Sequence, residues 1–350
     1  MKALPPDPAI DDAVDTAVAR ILIRTSALGG SFAELGESIR RATMGGKRLR
    51  PTLVVAAFRA LSDSEPAPVV YDIAAAFELL HAAFVVHDDV IDHDTLRRGI
   101  PNISGEFHNR ARRVGVTEQS ARSFGEAAAI LGGDLLLHEA TRIIMLANVA
   151  PEVREQLAML LDDAVFISAA GELADVENGL MTAGADAKAV LEATFQKTAV
   201  YTFSAPLRAG AVLAGASRAT VRALDSAAGD LGLAFQLVDD LIGAFGTATQ
   251  AGKEVGADLR EAKQTPLVAY AATTTTWPQV RDALTIAHTG PIAVRHAQAA
   301  LAASGARDSV VAMVAESLAS ARETAVAGEM PPRLGSLLIR LADDIERRVP

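Results

Sequence analysis

His87-Asp88-Asp89-Val90-Ile91-Asp92, followed by Leu96-Arg97-Arg98-Gly99, sets three carboxylates in the apolar sequence of a helix. A second stretch of the same kind, Phe235-Gln236-Leu237-Val238-Asp239-Asp240-Leu241-Ile242-Gly243, places Asp239 151 residues after Asp88. Carboxylates beside Val, Ile and Leu are costly to bury unless something offsets their charge. A hard divalent cation is the natural partner, because Mg²⁺ takes oxygen ligands, typically one or two carboxylates completed by substrate phosphates. Both stretches therefore ask for the same ligand, a metal-bound diphosphate. On a helix Asp88 and Asp92 stand one turn apart and within about 40° of each other, while Asp89 is turned about 100° from Asp88.

Helical spacing dominates the chain around these stretches. It predicts helices over 11–26, 33–43, 52–62, 70–95, 121–148, 152–182, 187–215, 217–243, 264–274, 278–288, 292–303, 308–325 and 334–348. The breaks fall at Gly29-Gly30, Gly45-Gly46, Pro66 to Pro68, Pro101, Pro151, Gly290-Pro291 and Pro331-Pro332. No sustained period-2 alternation marks a strand. Arg98 to Gln119 and Gly246 to Gln264, polar and rich in Gly or Arg, read as mobile loops. Nothing marks a domain boundary between the aspartate stretches, so the expectation is one all-α domain over 1–350 with a motif-bearing core at about 45–265.

Bulk properties agree. Half of the 350 residues are hydrophobic but only 4% are aromatic, which favours closely packed, Ala-rich helices. The formal charge of −10 argues against nucleic acid as a partner, since a phosphate-tracking surface carries the opposite sign. Without cysteine there are no disulfides, zinc–thiolate sites or thiol nucleophiles. The first ten residues hold three prolines and no apolar signal core, and no uninterrupted apolar run reaches the ~18 residues of a spanning helix. The expectation is a cytoplasmic protein with no integral membrane segment.

Five Asp-Asp pairs occur, at 11–12, 88–89, 162–163, 239–240 and 343–344, so the pairs alone say little. What singles out the second and fourth is their company. Gly46-Lys47-Arg48-Leu49-Arg50-Pro51 puts three cations in four positions just before a helix. Glu78-Leu79-Leu80-His81 follows, with His81 seven residues before Asp88 and on the same stripe. Gln196-Lys197-Thr198 interrupts an apolar helix, where a lone lysine would otherwise read as snorkelling to solvent. Gly252-Lys253-Glu254-Val255-Gly256-Ala257-Asp258-Leu259-Arg260, Lys263 and Thr265 come after the second aspartate stretch.

In these residues, from about Gly45 to Thr265 and in the same order, the chain resembles the trans-isoprenyl diphosphate synthases (polyprenyl synthetases), most closely the bacterial geranylgeranyl diphosphate synthases. The resemblance implies an all-α isoprenoid-synthase helical bundle around a central cavity, a homodimer, and Mg²⁺ (Mn²⁺ as an alternative). It implies Mg-dependent head-to-tail (1′-4) condensation of isopentenyl diphosphate with dimethylallyl, geranyl or farnesyl diphosphate. By position, Asp88 and Asp92 match the metal ligands of the first motif, and Asp239, with Asp240 beside it, those of the second. Lys47, Arg50 and His81, joined by Arg98, match the positions that hold isopentenyl diphosphate. Arg97, Lys197 and Lys253 match those that hold the allylic diphosphate. Thr198 and Gln236 sit where the family places oxygen dipoles near the developing carbocation.

Two departures stand out. Gly243 replaces the aspartate that usually ends the second motif, removing one carboxylate on the face of Asp239, and Gly171-Glu172 replaces a common Gly-Gln. In this family bulky residues just before the first motif close the tunnel for the growing chain; here they are Leu80, Ala83 and Phe84. Phe84 lies under the metal stripe, about 40° from Asp88. There is also no two-residue insertion within the first motif, as many bacterial farnesyl synthases have, and the expected product is geranylgeranyl diphosphate. The alternatives are a farnesyl or longer-chain synthase, or a non-catalytic subunit of a heteromeric synthase, which Gly243 alone favours. A terpene cyclase of the same fold would not need Lys47, Arg50 and His81. A phosphohydrolase built on His87-Asp88 and His93-Asp94 would need further His and Asp ligands in register.

Overall fold

The computed structural model describes residues 4, 6–180, 186–247, 250, 256–261 and 263–350. The chain divides into two compact units, Pro5–Met159 and Leu160–Pro350.

The first unit contains α1 (Pro8–Leu28), α2 (Gly30–Thr43), α3 (Leu49–Leu61), α4 (Pro68–Ile91), a two-stranded ribbon, α5 (Ile103–Arg113) and α6 (Glu118–Met145). Its axis is α4, in which every residue from Ile73 to Leu80 is buried, among them Glu78. Helix α4 packs on α6, α3 and α1. Glycine lets the α6 backbone come close: a Cβ at Gly133 would lie 2.5 Å from His87 Cδ2. By length and composition α4 is apolar enough to cross a membrane, but 61% of its most apolar window is buried within the protein.

The second unit holds most of α7 (Pro151–Gly179), then α8 (Ala187–Thr194), a π-helix at Phe195–Ser204, and α9 (Ala205–Leu213). The last three form one unbroken rod, since Phe195 and Ala205 both keep right-handed helical backbone. Helix α10 (Arg218–Phe245) packs on the π segment, on α15 (Ala306–Ala325) and on α16 (Pro332–Glu346). Between them run α11 (Ala257–Arg260), α12 (Pro266–Ala272), α13 (Trp277–Ile286) and α14 (Pro291–Ala303). Side-chain oxygens cap several starts: Asp7 for α1, Thr117 for α6, Asp186 for α8 and Ser217 for α10.

The all-α expectation holds, with four local corrections. Arg98 to Gln119 is not a loop: Asn102 Oδ1 accepts from Gly105 N at 2.9 Å to start α5, and Ile103, Phe107 and Ala111 bury one face of it. Just before it, β1 (Leu96–Arg97) pairs antiparallel with β2 (Ile100–Pro101). This tight turn needs Arg98 at φ 53° and Gly99 at φ 79°, a two-residue reversal that leaves no alternation to detect. Predicted helix 70–95 ends at Ile91, because His93 adopts φ 59° and the Asp94 amide folds back onto Asp89 O at 2.8 Å. Within Gly246 to Gln264, Ala257–Arg260 is helical, while 251–255, with Lys253, lies outside the described residues.

Candidate active site

In the first unit the chemistry gathers at the C-terminal end of α4. Asp88 is half-buried, and Asp92, at the C-cap, is exposed. Helix C-termini carry the negative end of the macrodipole, so carboxylates there want a cation. Asp89 turns inward, 4% exposed, where Arg97 Nη1 donates to its Oδ1 at 2.9 Å. Burial pushes the Asp89 carboxyl up to about 6, against the pull of Arg97. The ribbon thus spends Arg97 on the middle carboxylate and presents Arg98 at its tip.

Two turns before Asp88 on α4 sits His81. Burial and then the charges of Arg50, Arg97 and Arg98 push its imidazole well below the usual histidine range, so it is neutral. Three guanidinium groups therefore act on one neutral ring, an anion-seeking cluster on a protein of net charge −10. Arg50 is half-buried at the start of α3 and Lys47 is exposed in the turn before it. Arg48 has a different task. At φ 47° it caps α3, and it donates to Asp11 Oδ1 at 2.8 Å, to Thr43 O at 3.0 Å and to Glu78 Oε1 at 3.0 Å. These bonds fix the Gly45–Lys47 turn and explain the buried Glu78. Leu80 and Ala83 are 0% exposed, whereas Phe84 keeps part of its surface open.

His87 and His93 do not gather ligands. His87 lies against Gly133 and 3.5 Å from Asp134, and His93 is 3.5 Å from Glu126. Among the described residues, no three His, Asp or Glu side chains form a metal cage by themselves. Mg²⁺ needs few protein ligands, because water and substrate phosphate complete its shell.

In the second unit the chemistry lies where α7, the π segment, α10 and α11 meet. The π segment carries Lys197 and Thr198, both half-buried. Gly171 admits it against α7: a Cβ there would come 2.7 Å from the Gln196 carbonyl carbon and closer still to the Lys197 amide. Gly232 admits it against α10, where a Cβ would lie 2.7 Å from that of Ala199. Single-turn π geometry widens a helix and recurs at functional sites; here it spans ten residues. Lys197 Nζ sits between Glu172 Oε2 at 3.0 Å and Asp175 Oδ2 at 2.8 Å. It is pinned, not snorkelling.

Asp239 and Asp240 split their roles. Asp240 is buried and accepts from Gln236 Nε2 at 3.0 Å. Burial, with Asp258, Asp239 and Asp175 around it, pushes its carboxyl well above the usual range against that hydrogen bond. Asp239 is more open and is paired with Arg348, whose guanidinium also stacks on Phe235. A divalent cation beside Asp239 and Asp240 would offset the repulsion among these carboxylates. The sequence pointed to Asp239 and Asp240 but assigned nothing to Asp175, Asp258 or Arg348. Glu172 and Asp175, one turn apart on α7, were a local signal; Arg348 had none.

Residues 33–303 match the polyprenyl synthetase family model. Over 230 residues the chain is 32% identical to geranylgeranyl diphosphate synthase of Sulfolobus acidocaldarius, a span of 65% of this chain and 63% of that one, just under two thirds. It is 33% identical over 260 residues to farnesyl diphosphate synthase of Geobacillus stearothermophilus, covering 72% of this chain and 79% of that one. The crystal structure of geranylgeranyl pyrophosphate synthase from Corynebacterium glutamicum, complexed with isoprenyl diphosphate and magnesium, is similar with a TM-score of 0.87 and 27% identity over 97% of both chains. The chain belongs to the polyprenyl synthetase family.

Proposed function

We propose that the protein condenses isopentenyl diphosphate head-to-tail (1′-4) with an allylic diphosphate to give an all-trans prenyl diphosphate, geranylgeranyl diphosphate above all. The observation that carries this reading is the set of arginines, Arg50, Arg97 and Arg98, acting on neutral His81 two to three turns before Asp88 and Asp92. A cyclase of this fold binds a single diphosphate and would not need Lys47, Arg50 and His81. The two relatives that make twenty-carbon and fifteen-carbon products stand at nearly equal identity, so chain length rests on the residues before the first motif.

Magnesium, held by Asp88 and Asp92 and by Asp239 with Asp240, would supply positive charge against the leaving diphosphate. The protein's own groups do the rest. Lys47, Arg50, His81 and Arg98 hold the isopentenyl diphosphate, with His81 donating a neutral hydrogen bond. Arg97, Lys197 and Lys253 are the groups we assign to the allylic diphosphate, whose negative charge they would stabilise as the C–O bond breaks. Thr198 and Gln236 turn oxygen dipoles toward the carbocation, and apolar walls keep water from it. The isopentenyl double bond attacks, and a proton leaves to the departing diphosphate, so no side-chain nucleophile is required.

Self-association belongs to this reading. Met159, Phe166 and Leu173 stand exposed at seven-residue spacing on α7, with Phe166 71% open, and a second copy of the chain is the partner that covers such a stripe.

The test is incubation with Mg²⁺, labelled isopentenyl diphosphate and dimethylallyl, geranyl or farnesyl diphosphate in turn, with products sized by chromatography. Elongation that stops at twenty carbons is the expected result, and Asp88→Ala abolishes it while leaving the helical signal intact. A folded sample that elongates no starter overturns the reading in favour of a non-catalytic subunit.

A further inference from the structure

Glu172 on α7 stands beside Lys197, the only cationic residue of the π segment, and the proposed function leaves it without a task. Lys197 Nζ lies 3.1 Å from Glu172 Oε1 and 3.0 Å from Oε2, so this carboxylate grips the lysine with both oxygens. Asp175, one turn further on α7, meets it through Oδ2 alone at 2.8 Å. One ammonium group therefore stands between two carboxylates, and the trio is net negative. Glu172 is the more enclosed of the two, its side chain 22% exposed against 42% for Asp175. Charges act more strongly away from bulk water, so Glu172 is the firmer hold. The backbone fixes the pairing: a Cβ at Gly171 would lie 2.7 Å from the Gln196 carbonyl carbon, so the residues that follow these two positions are set side by side.

We propose that Glu172 is an exchange counterion for Lys197: it holds the ammonium group in the empty site, yields it to the allylic diphosphate, and takes it back as pyrophosphate leaves. The inference rests on the prenyltransferase reading, which assigns Lys197 to that diphosphate. Position alone does not need a carboxylate at 172. A glutamine there would still accept a hydrogen bond from Nζ through its amide oxygen, and Asp175 would still pair with the lysine. What the carboxylate adds is charge. It sets a second negative group against an incoming anion, in a neighbourhood where Asp175, Asp239 and Asp258 already act on buried Asp240. In such surroundings the partner of Lys197 decides how strongly an anion is drawn in. The consequence is a site that binds diphosphate less tightly than the same lysine beside a neutral partner, and that releases pyrophosphate more readily. Glu172 acts through Lys197 and is a positioning residue, not a catalytic one.

Calorimetric titration of the full chain with inorganic pyrophosphate in saturating Mg²⁺, without turnover and over a range of salt, tests this. Wild-type protein, Glu172→Gln and Glu172→Ala are compared, each checked for helical content. Both variants are expected to bind pyrophosphate about fivefold more tightly at low salt, the scale of one half-buried ion pair, and the gap to narrow as salt rises. In steady-state kinetics Glu172→Gln is expected to lower KM for the allylic diphosphate, to leave KM for isopentenyl diphosphate unchanged, and to be inhibited by less pyrophosphate than wild type. A residue that merely braced Lys197 would give the opposite sign, weaker binding on its loss. Folded Glu172→Gln that binds pyrophosphate no more tightly than wild type overturns the inference alone. Wild-type and variant proteins that bind no pyrophosphate with Mg²⁺ overturn the proposed function and this inference together.

Discussion

Arg348 Nη2 donates to Asp239 Oδ1, and the Arg348 guanidinium lies 4.5 Å from the centroid of the Phe235 ring, four residues before that aspartate on α10. A cation already sits on the most open carboxylate of the second motif. Metal binding at Asp239 has to displace it or share the carboxylate with it. Arg348→Ala is therefore expected to tighten Mg²⁺ binding about fivefold, the equivalent of the ~1 kcal/mol that a half-exposed pair contributes. Cation–π contact adds a similar amount to the metal-free protein, so its melting temperature is expected to fall slightly. Calorimetric titration of both proteins with Mg²⁺ checks this; equal affinities would mean that Arg348 and the metal use Asp239 independently.

A second prediction concerns stability. Glu139 on α6 is 0% exposed and is gripped by Arg20 from α1 and by Arg142, whose Nη2 donates at 2.6 Å. Burial pushes this carboxyl up, but the two arginines outweigh burial and hold it below the usual glutamate value of 4.5. The folded protein keeps this group ionised to lower pH than the unfolded chain does. Its contribution is complete above about pH 4.5 and fades as acid carries the solution through the lower folded value. Glu139→Gln is expected to cost about 2 kcal/mol at neutral pH, as for a charged hydrogen bond. Urea denaturation at pH 7 and again near pH 3 should find that difference greatly reduced in acid, because the wild-type carboxyl is then neutral too.

Gly171→Ala probes the close approach of α7 to the π segment. A Cβ 2.7 Å from the Gln196 carbonyl carbon forces the two elements apart, at a typical overpacking cost of 1–3 kcal/mol, about 2 here. Lys197 then leaves Glu172 and Asp175. Thermal unfolding should report the stability loss. Steady-state kinetics should report a larger rise in KM for the allylic diphosphate than fall in kcat. An unchanged KM would remove Lys197 from the allylic site.

Most of this architecture was legible in the sequence, and the reasons are specific. Helix α4 was readable because its apolar run carries Glu78, His81 and Asp88 three and seven residues apart, on one helical stripe. The ends were harder. The helix stops at Ile91 because His93 turns left-handed, and no glycine or proline announces it. Helix α5 hid behind its three arginines and one histidine, because its buried apolar side chains are only Ile103, Phe107 and Ala111. The π segment between Thr194 and Ala205 has helical composition throughout, so its widened turns follow from tertiary packing at Gly171 and Gly232. Of the site, Asp88, Asp92, His81 and Arg50 were readable because they share α4 or adjoin a sharp turn. Asp258 and Arg348 meet the second motif from elements 15 and 105 residues beyond Gly243. Only the folded chain brings them there.

Chain length gives the last prediction. Leu80, Ala83 and Phe84 all precede the first motif on α4, but they do not face the same environment. Leu80 and Ala83 have no accessible surface at all, so they line no open tunnel; they pack the core of the first unit. Phe84 stands one turn before Asp88 with part of its ring open, which is where a chain growing away from the metal would meet a wall. Phe84→Ala removes that wall and is expected to shift the product from twenty carbons to longer chains, with the first-motif carboxylates and their metal affinity unchanged. Leu80→Ala instead opens a core cavity and costs about 3 kcal/mol of stability, with the product distribution held. Chromatographic sizing of products from both variants, alongside their melting temperatures, separates the two roles. A longer product from Leu80→Ala and none from Phe84→Ala would place the tunnel floor one turn deeper, in what is now the packed core.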